Sequence, residues 1–317
     1  MRTITALFVG LGSIGTRHLK NLANLCADRG WTLQADALRS DLTRPLRPGA
    51  AELLHAQYTD LAAAPAHYDM VFITNPTSLH AEALRQVKGR GKALFIEKPI
   101  FSAEQTGLAL DELLPAGQKA YVAAPMRWCG AMLALKDRLP ALHPYCARVI
   151  CSSYLPDWRP GVDYRTVYSA RKALGGGVTI DLIHEWDYLV ELFGVPEKLY
   201  NFKGTYSELE IDSDDLSVYI AKYPTLLAEV HLDYFGRGYR RSIELFCRDG
   251  SYLADFGKGT LTLPDGTVQH YEEDVNRRYE REMEYFVDYA LTGCGESCNP
   301  PALALKVLKL TLGENVQ

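Results

Sequence analysis

Ile4-Thr5-Ala6-Leu7-Phe8-Val9-Gly10-Leu11-Gly12-Ser13-Ile14-Gly15 joins a β-rich run directly to a glycine-spaced turn. A helical pattern follows at once, with Ile14, His18, Leu22 and Leu25 on one side. The spacing has a physical reason. Gly10 permits the tight turn, Gly12 lets the backbone approach a pyrophosphate, and Gly15 lets helix and strand pack closely. The N–H groups that open the helix, from Ser13 and Ile14 onward, then face the phosphates with the positive end of the helix dipole. The glycines alone are a weak signal. Their strand–turn–helix setting strengthens it.

Downstream the alternation continues. A second strand, Leu33 to Leu38, ends on Arg39-Ser40-Asp41, with Arg44 and Arg47 beyond. NAD binding asks for an acidic residue at that end to hold the ribose hydroxyls. Arg39 and Ser40 suit a 2′-phosphate instead, so NADP is favoured over NAD; Asp41 serves NAD if the strand runs longer. Arg44 and Arg47 read as a solvated loop. A third buried strand, Tyr68 to Ile73, runs into Thr74-Asn75-Pro76. Asn75 and Pro76, with His80 close behind, fall at its carboxyl end, where the nicotinamide half rests. The apolar run Ala93-Leu94-Phe95-Ile96 then leads into Glu97-Lys98-Pro99, which puts a primary amine at a strand's carboxyl edge. Taken alone, that stretch reads more simply as a surface turn ended by proline. A helix over about 103–114 and a strand from Lys119 to Ala123 complete the series. Strands alternating with helices predict a doubly wound parallel sheet, a Rossmann domain over residues 1–122.

The glycine turn, Asn75-Pro76 after the third strand and Glu97-Lys98-Pro99 after the next together resemble the glucose–fructose oxidoreductase / inositol dehydrogenase (Gfo/Idh/MocA) family. The resemblance spans nearly the whole chain. It implies that Lys98 sits beside nicotinamide and substrate, that Glu97 belongs to the cofactor-binding turn, and that the peptide before Pro99 is cis.

Beyond residue 123 the texture changes to an α+β domain over 123–317, built on a large, mostly antiparallel sheet. Pro125-Met126-Arg127-Trp128 opens a helix to about Arg138. Arg127 and Trp128 match a Tyr-Asn-x-Arg-Phe-like stretch of the family, which implies substrate contact for Arg127; Ala124 and Pro125 depart from it. The strand Tyr145 to Tyr154 leads into a loop carrying Trp158, Arg159, Tyr164 and Arg165. Arginine forks bind carboxylate or phosphate, and aromatic faces stack on sugars or bases. An anchored surface loop with solvated arginines accounts for the same residues equally well. Trp158-Arg159-Pro160 and Asp163-Tyr164-Arg165 before Gly175-Gly176-Gly177 resemble a branch of the family associated with bacterial surface-polysaccharide and sugar-nucleotide pathways.

The triple glycine feeds a predicted helix, Val178 to Phe193. Asp181, His184, Tyr188 and Glu191 recur along one face of it, and Asp181 one turn before His184 is placed to orient the imidazole. A lone helical histidine is more often structural. The resemblance implies that His184 relays a proton and that Asp181 also reaches the substrate, although the family usually spaces the pair one residue further apart. Six β-runs follow, between Lys198 and Leu263. His231, Asp233, Arg240 and Arg241 within them read as half-exposed sheet positions. Helices over about 274–291 and 301–313 close the chain, and the resemblance brings Asn276 and Tyr279 near the substrate. A large sheet with one helix-free face predicts a homodimer or homotetramer.

Composition narrows the classes. The chain has 317 residues, 47% hydrophobic and 23% charged, with a net charge of −5. That suits a soluble two-domain protein and disfavours nucleic acid as a partner. No apolar run reaches the roughly 18 residues of a membrane helix, and the start lacks a signal-peptide pattern. The seven cysteines (26, 129, 146, 151, 247, 294 and 298) contain no Cys-x-x-Cys, so free thiols in the cytoplasm are expected, with no metal.

The expected activity is NAD(P)-dependent hydride transfer between nicotinamide and a secondary alcohol or ketone of a sugar, sugar nucleotide or polyol. Lys98 or His184 serves as the base. Two other classes remain open: an NAD-dependent glycoside hydrolase with transient oxidation, and a dinucleotide-binding sensor without chemistry. The sensor needs neither Lys98 nor His184.

Overall fold

The computed structural model describes residues 2–292 and 295–316. The chain forms two compact units, one of Met1–Ala123 with Tyr279–Leu305 and one of Ala124–Arg278 with Lys306–Gln317.

The first unit holds a six-stranded sheet: β1 (Thr3–Val9), β2 (Thr32–Leu38), β3 (Leu54–Tyr58), β4 (Tyr68–Ile73), β5 (Gly91–Ile96) and β6 (Lys119–Val122). All its pairings are parallel, in the order β3-β2-β1-β4-β5-β6. The order reverses between β1 and β4, and ligands of such sheets bind at the strands' carboxyl ends beside that reversal. Helix α1 (Ser13–Asp28) buries Leu19, Leu22 and Cys26. The remaining crossovers are short: α2 (His80–Gln86) and α3 (Leu110–Leu113), the latter a single turn where the sequence predicts a helix of three. β3 escaped the sequence reading because it is an edge strand whose residues are nowhere fully buried, so it lacks the apolar run of its neighbours.

A sequence cut at residue 122 misses the chain's return. Helix α7 (Asn276–Thr292) belongs to the first unit from Tyr279 onward and brings Met283, Phe286 and Val287 into its core. The reason lies in the sheet's register. Phe8, Phe72, Phe95 and Tyr121 are aligned across β1, β4, β5 and β6. Phe286 packs edge-on to Phe72 at 5.4 Å and to Phe95 at 5.1 Å. An aromatic row on a parallel sheet needs an apolar cover, and α7 supplies it.

The second unit is built on eight strands: β7 (Cys146–Tyr154), β8 (Lys198–Gly204), β9 (Leu216–Lys222), β10 (Leu227–Asp233), β11 (Phe235–Cys247), β12 (Gly250–Asp255), β13 (Thr260–Thr262) and β14 (Val268–His270). Only the β7–β10 pairing is parallel among the described residues. Period-two alternation puts Val149, Cys151, Val230 and Leu232 on a buried face. Trp186 packs edge-on to Tyr219 of β9 at 5.2 Å. The predicted helix 178–193 is two helices, α5 (Val178–Asp181) and α6 (His184–Phe193), separated at Leu182 and Ile183. The helix predicted from Pro125 is a 3-10 turn, Pro125–Trp128, followed by α4 (Gly130–Arg138). Helix α8 (Pro301–Thr311) precedes the C-terminal residues.

Six cysteines are free thiols, and Cys294 lies outside the described residues. Among the described residues no helix is long and apolar enough to cross a membrane, and no metal-ligand cluster forms.

Candidate functional site

The turn between β1 and α1 carries the first candidate site. Gly10 has φ +83°, and a Cβ there would stand 2.7 Å from the Asn75 backbone. At Gly15 a Cβ would meet Thr74 Oγ1 at 2.7 Å. Gly12 is different: no heavy atom lies within 4 Å of the place its Cβ would take. It also begins α1 with no side-chain cap, so the leading N–H groups around Ser13 and Ile14 have no side-chain acceptor. Beside this turn, at the end of β4, Asn75 Oδ1 is buried with no hydrogen-bond partner. An uncapped 16-residue helix, open space over Gly12 and an orphaned acceptor fit a bound dinucleotide with its pyrophosphate on the helix.

In and just past β2, both carboxylates, Asp36 and the candidate Asp41, already accept hydrogen bonds from the protein. Asp36 is buried within the strand, accepting from the Tyr68 hydroxyl at 2.8 Å and lying 3.2 Å from His55 Nδ1. Asp41 closes a local turn, accepting from the Thr43 N–H at 2.8 Å and its hydroxyl at 2.7 Å. Those two bonds hold its carboxyl below the ordinary range. Arg39 occupies the first position past the strand and donates to Gln57 Oε1 at 2.7 Å and to the Arg44 carbonyl. Ser40 is exposed beside it. Arg39, Arg44 and Arg47 line one open hollow, and Arg44 and Arg47 are exposed there, as expected of a solvated loop.

The end of β5 is more tightly built. The Lys98–Pro99 peptide is cis. The Lys98 side chain is half-buried and has no hydrogen-bond or ion-pair partner among the described residues. Two neighbours expected to touch cofactor are instead committed to the protein. Glu97 is 7% exposed; its Oε1 lies 2.5 Å from His18 Nε2 and its Oε2 accepts from the Lys98 N–H at 3.1 Å. Burial favours the protonated Glu97, but the His18 hydrogen bond and charge, with Lys98 and His80, outweigh it and hold the carboxyl below its ordinary value. His80, 1% exposed, has both ring nitrogens against carbonyl oxygens, Nδ1 3.1 Å from Ile100 and Nε2 3.0 Å from Asn75. Pro76 is exposed at the same edge.

In the second unit, Asp181 ends α5 and His184 begins α6, both half-buried. The break between them means that they do not share one helical face as the spacing predicts. Asp181 is held by two tyrosines that no motif marks. Tyr234 donates to Asp181 Oδ2 at 2.6 Å, and the Tyr168 hydroxyl bonds the same carboxylate. Burial first, then the Asp181 charge, pushes both phenols up, so they remain proton donors to it. Trp158 stands edge-on to Tyr234 at 5.2 Å, its indole N–H donating to Ser153 Oγ at 3.0 Å. Two of the three glycines serve packing: a Cβ at Gly176 would stand 2.1 Å from the Tyr168 carbonyl oxygen, and one at Gly177 2.3 Å from Asp214 Oδ1. Only glycine lets this strand of chain press against the loop that carries Tyr168.

The arginines divide. Arg127 is 3% exposed and spans Asp187, at 3.0 and 2.7 Å, and Glu191, at 2.6 Å. It anchors α6, with its guanidinium buried in these pairs rather than open to a ligand. Arg241 likewise grips the fully buried Glu185 at 2.7 and 3.1 Å. Arg165 pairs with Asp163 at 2.9 Å and Glu210 at 3.0 Å in solvent, and Tyr164 accepts from the Glu210 N–H at 3.2 Å. Arg159 is exposed with no partner among the described residues. Trp158, Tyr168 and Arg159 therefore present open surface, Tyr168 directly on Asp181 and Trp158 through Tyr234, whereas Arg127 and Arg165 are already paired.

Comparison with known proteins bears on the fold that carries these residues. Residues 4–123 match the model of an oxidoreductase family with an NAD-binding Rossmann fold, GFO_IDH_MocA. An uncharacterised oxidoreductase of Bacillus subtilis strain 168, YrbE, is 24% identical over 308 residues, 90% of this chain and 86% of its own. The inositol 2-dehydrogenase of Rhizobium meliloti strain 1021 is 27% identical over 200 residues, 61% of this chain and 56% of its own. Among solved structures, the UDP-N-acetylglucosamine 3-dehydrogenase of Acidithiobacillus ferrooxidans superposes with a TM-score of 0.71 at 18% identity, covering 99% of this chain and 97% of that one.

Proposed function

We propose, from the match of residues 4–123 to the model of the GFO_IDH_MocA oxidoreductase family, a dehydrogenase that moves hydride between NAD(P) and a secondary alcohol of a sugar, sugar nucleotide or polyol. The observation that carries the reading is one unit presenting both an uncapped glycine-turn helix and the unpaired Lys98 side chain at the carboxyl ends of its strands. A bound nicotinamide supplies the hydride acceptor or donor. Lys98 holds the substrate oxygen or takes its proton; the alternative candidate for the base is His184. Asp181, fixed by Tyr168 and Tyr234, orients a hydroxyl of the substrate. Trp158 and Arg159 add a ring-stacking face and a cation. The dehydrogenase activity of the Rhizobium relative on inositol and of the Acidithiobacillus structure on a nucleotide sugar support the substrate class.

NADP is the favoured cofactor, because Arg39 stands where the fold's NAD-binding acid stands and both nearby carboxylates are engaged elsewhere. Titration with NADPH and NADH tests this. NADPH is expected to bind at least about tenfold more tightly, about 1.4 kcal/mol, and Arg39→Ala to remove most of that difference. A tenfold preference for NADH overturns the assignment. The second unit is the substrate-binding and oligomerisation unit in this reading. Tyr200, Phe202, Ile220 and Leu227 are exposed on its sheet and offer an apolar face to a second copy.

A further inference from the structure

Two halves of a bound dinucleotide would be served by different elements of the first unit, the phosphates by α1 and the nicotinamide by the ends of β4 and β5. One buried contact ties those elements together. His18, in the second turn of α1, is fully buried, and its ring packs against Phe95 at 4.7 Å and Tyr279 at 6.1 Å. Its Nε2 lies 2.5 Å from Glu97 Oε1, across 79 residues of sequence. The second oxygen of the same carboxylate accepts from the Lys98 N–H. His80 fastens the other side, joining the Ile100 and Asn75 carbonyls. The Lys98 backbone is thus gripped from the helix that faces the phosphates. Its amine is left without a hydrogen-bond or ion-pair partner among the described residues.

We propose that His18 and Glu97 are positioning residues that transmit the placement of α1 to Lys98, so that the phosphate-binding helix sets where the amine stands. The inference rests on the reading that Lys98 serves the transfer step. A carboxylate buried only to fill the fold would affect stability and leave kcat alone. A carboxylate that places Lys98 affects kcat with little change in cofactor binding, since misplacement by about 1 Å costs up to about a hundredfold.

The test is a set of variants of the full chain: His18→Leu, His18→Gln, Glu97→Gln, the His18→Leu/Glu97→Gln double and Lys98→Met. Each is assayed for kcat and for NADPH dissociation by fluorescence. His18→Leu is expected to lower kcat about tenfold to a hundredfold while the dissociation constant stays within about threefold. His18→Gln, whose amide N–H reaches the place of Nε2, is expected to recover kcat to within about threefold of wild type. The double variant is expected to be no worse than its worse single, as for residues acting through one contact. If His18→Leu does not fold, the isosteric Glu97→Gln carries the same expected loss. A folded His18→Leu or Glu97→Gln with wild-type kcat overturns the inference, as do losses that multiply in the double or a Gln variant as impaired as Leu. An inactive Lys98→Met beside a fully active His18→Leu sinks this inference alone. An active Lys98→Met sinks the assignment of Lys98, and this inference with it.

Discussion

Lys98→Met lowers the single-turnover hydride-transfer rate by about two to four orders of magnitude, the range that a positioned acid or base supplies. Methionine keeps the length of the apolar stem, with sulfur in place of one methylene, and removes the amine. Lys98 makes no hydrogen bond or ion pair among the described residues, so the change leaves no partner stranded and the fold intact. kcat and kcat/KM are expected to fall together, the mark of an interaction made in the transition state. His184→Ala, measured beside it, ranks the two candidates for the base: the larger loss belongs to the group that takes the proton. If neither variant slows the step by as much as about tenfold, about 1.4 kcal/mol, the site has been assigned to the wrong residues.

Phe286→Ala destabilises the first unit by about 3–5 kcal/mol, read as a shift of its denaturant midpoint. Phe286 is fully buried against Phe72 and Phe95, in a row of rings that runs across the sheet beneath the cofactor edge. Truncation opens a cavity there and removes edge-to-face contacts that alanine cannot replace. Val275→Ala is the companion control: it sits 55% exposed just before α7 and is expected to change stability by less than about 0.5 kcal/mol. A loss below about 1 kcal/mol at Phe286 would mean that α7 is not part of that core.

Local chemistry made much of this protein legible in its sequence. The β1–turn–α1 passage, the later parallel strands and the proline-stopped end of β5 each depend on neighbours in sequence, through glycine geometry, apolar runs and proline. What eluded the sequence depends on distant partners. Nothing within Pro125–Trp128 tells Arg127 that it will meet Asp187, 60 residues away, and so its paired state was hidden. The same holds for Glu97 and His80, whose polar atoms are spent on partners such as His18 and Ile100. The break after Asp181 was hidden too, since no residue of the stretch 178–193 disrupts its helical pattern. Tyr168 and Tyr234 were missed for a related reason. A tyrosine in a loop and one after a strand carry no signal until the fold brings both hydroxyls to Asp181.

The central claim, net hydride transfer between nicotinamide and a sugar-type alcohol, is tested most directly by following the reduced-nicotinamide absorbance during turnover. The enzyme is mixed with NADP⁺ and, in turn, with polyols, free sugars and nucleotide sugars, while loss of each compound is measured in parallel. The prediction is that, for the compound consumed, reduced nicotinamide accumulates one for one with its loss and is reoxidised when the ketone product is added back. A compound consumed with no lasting change in that absorbance would contradict the claim.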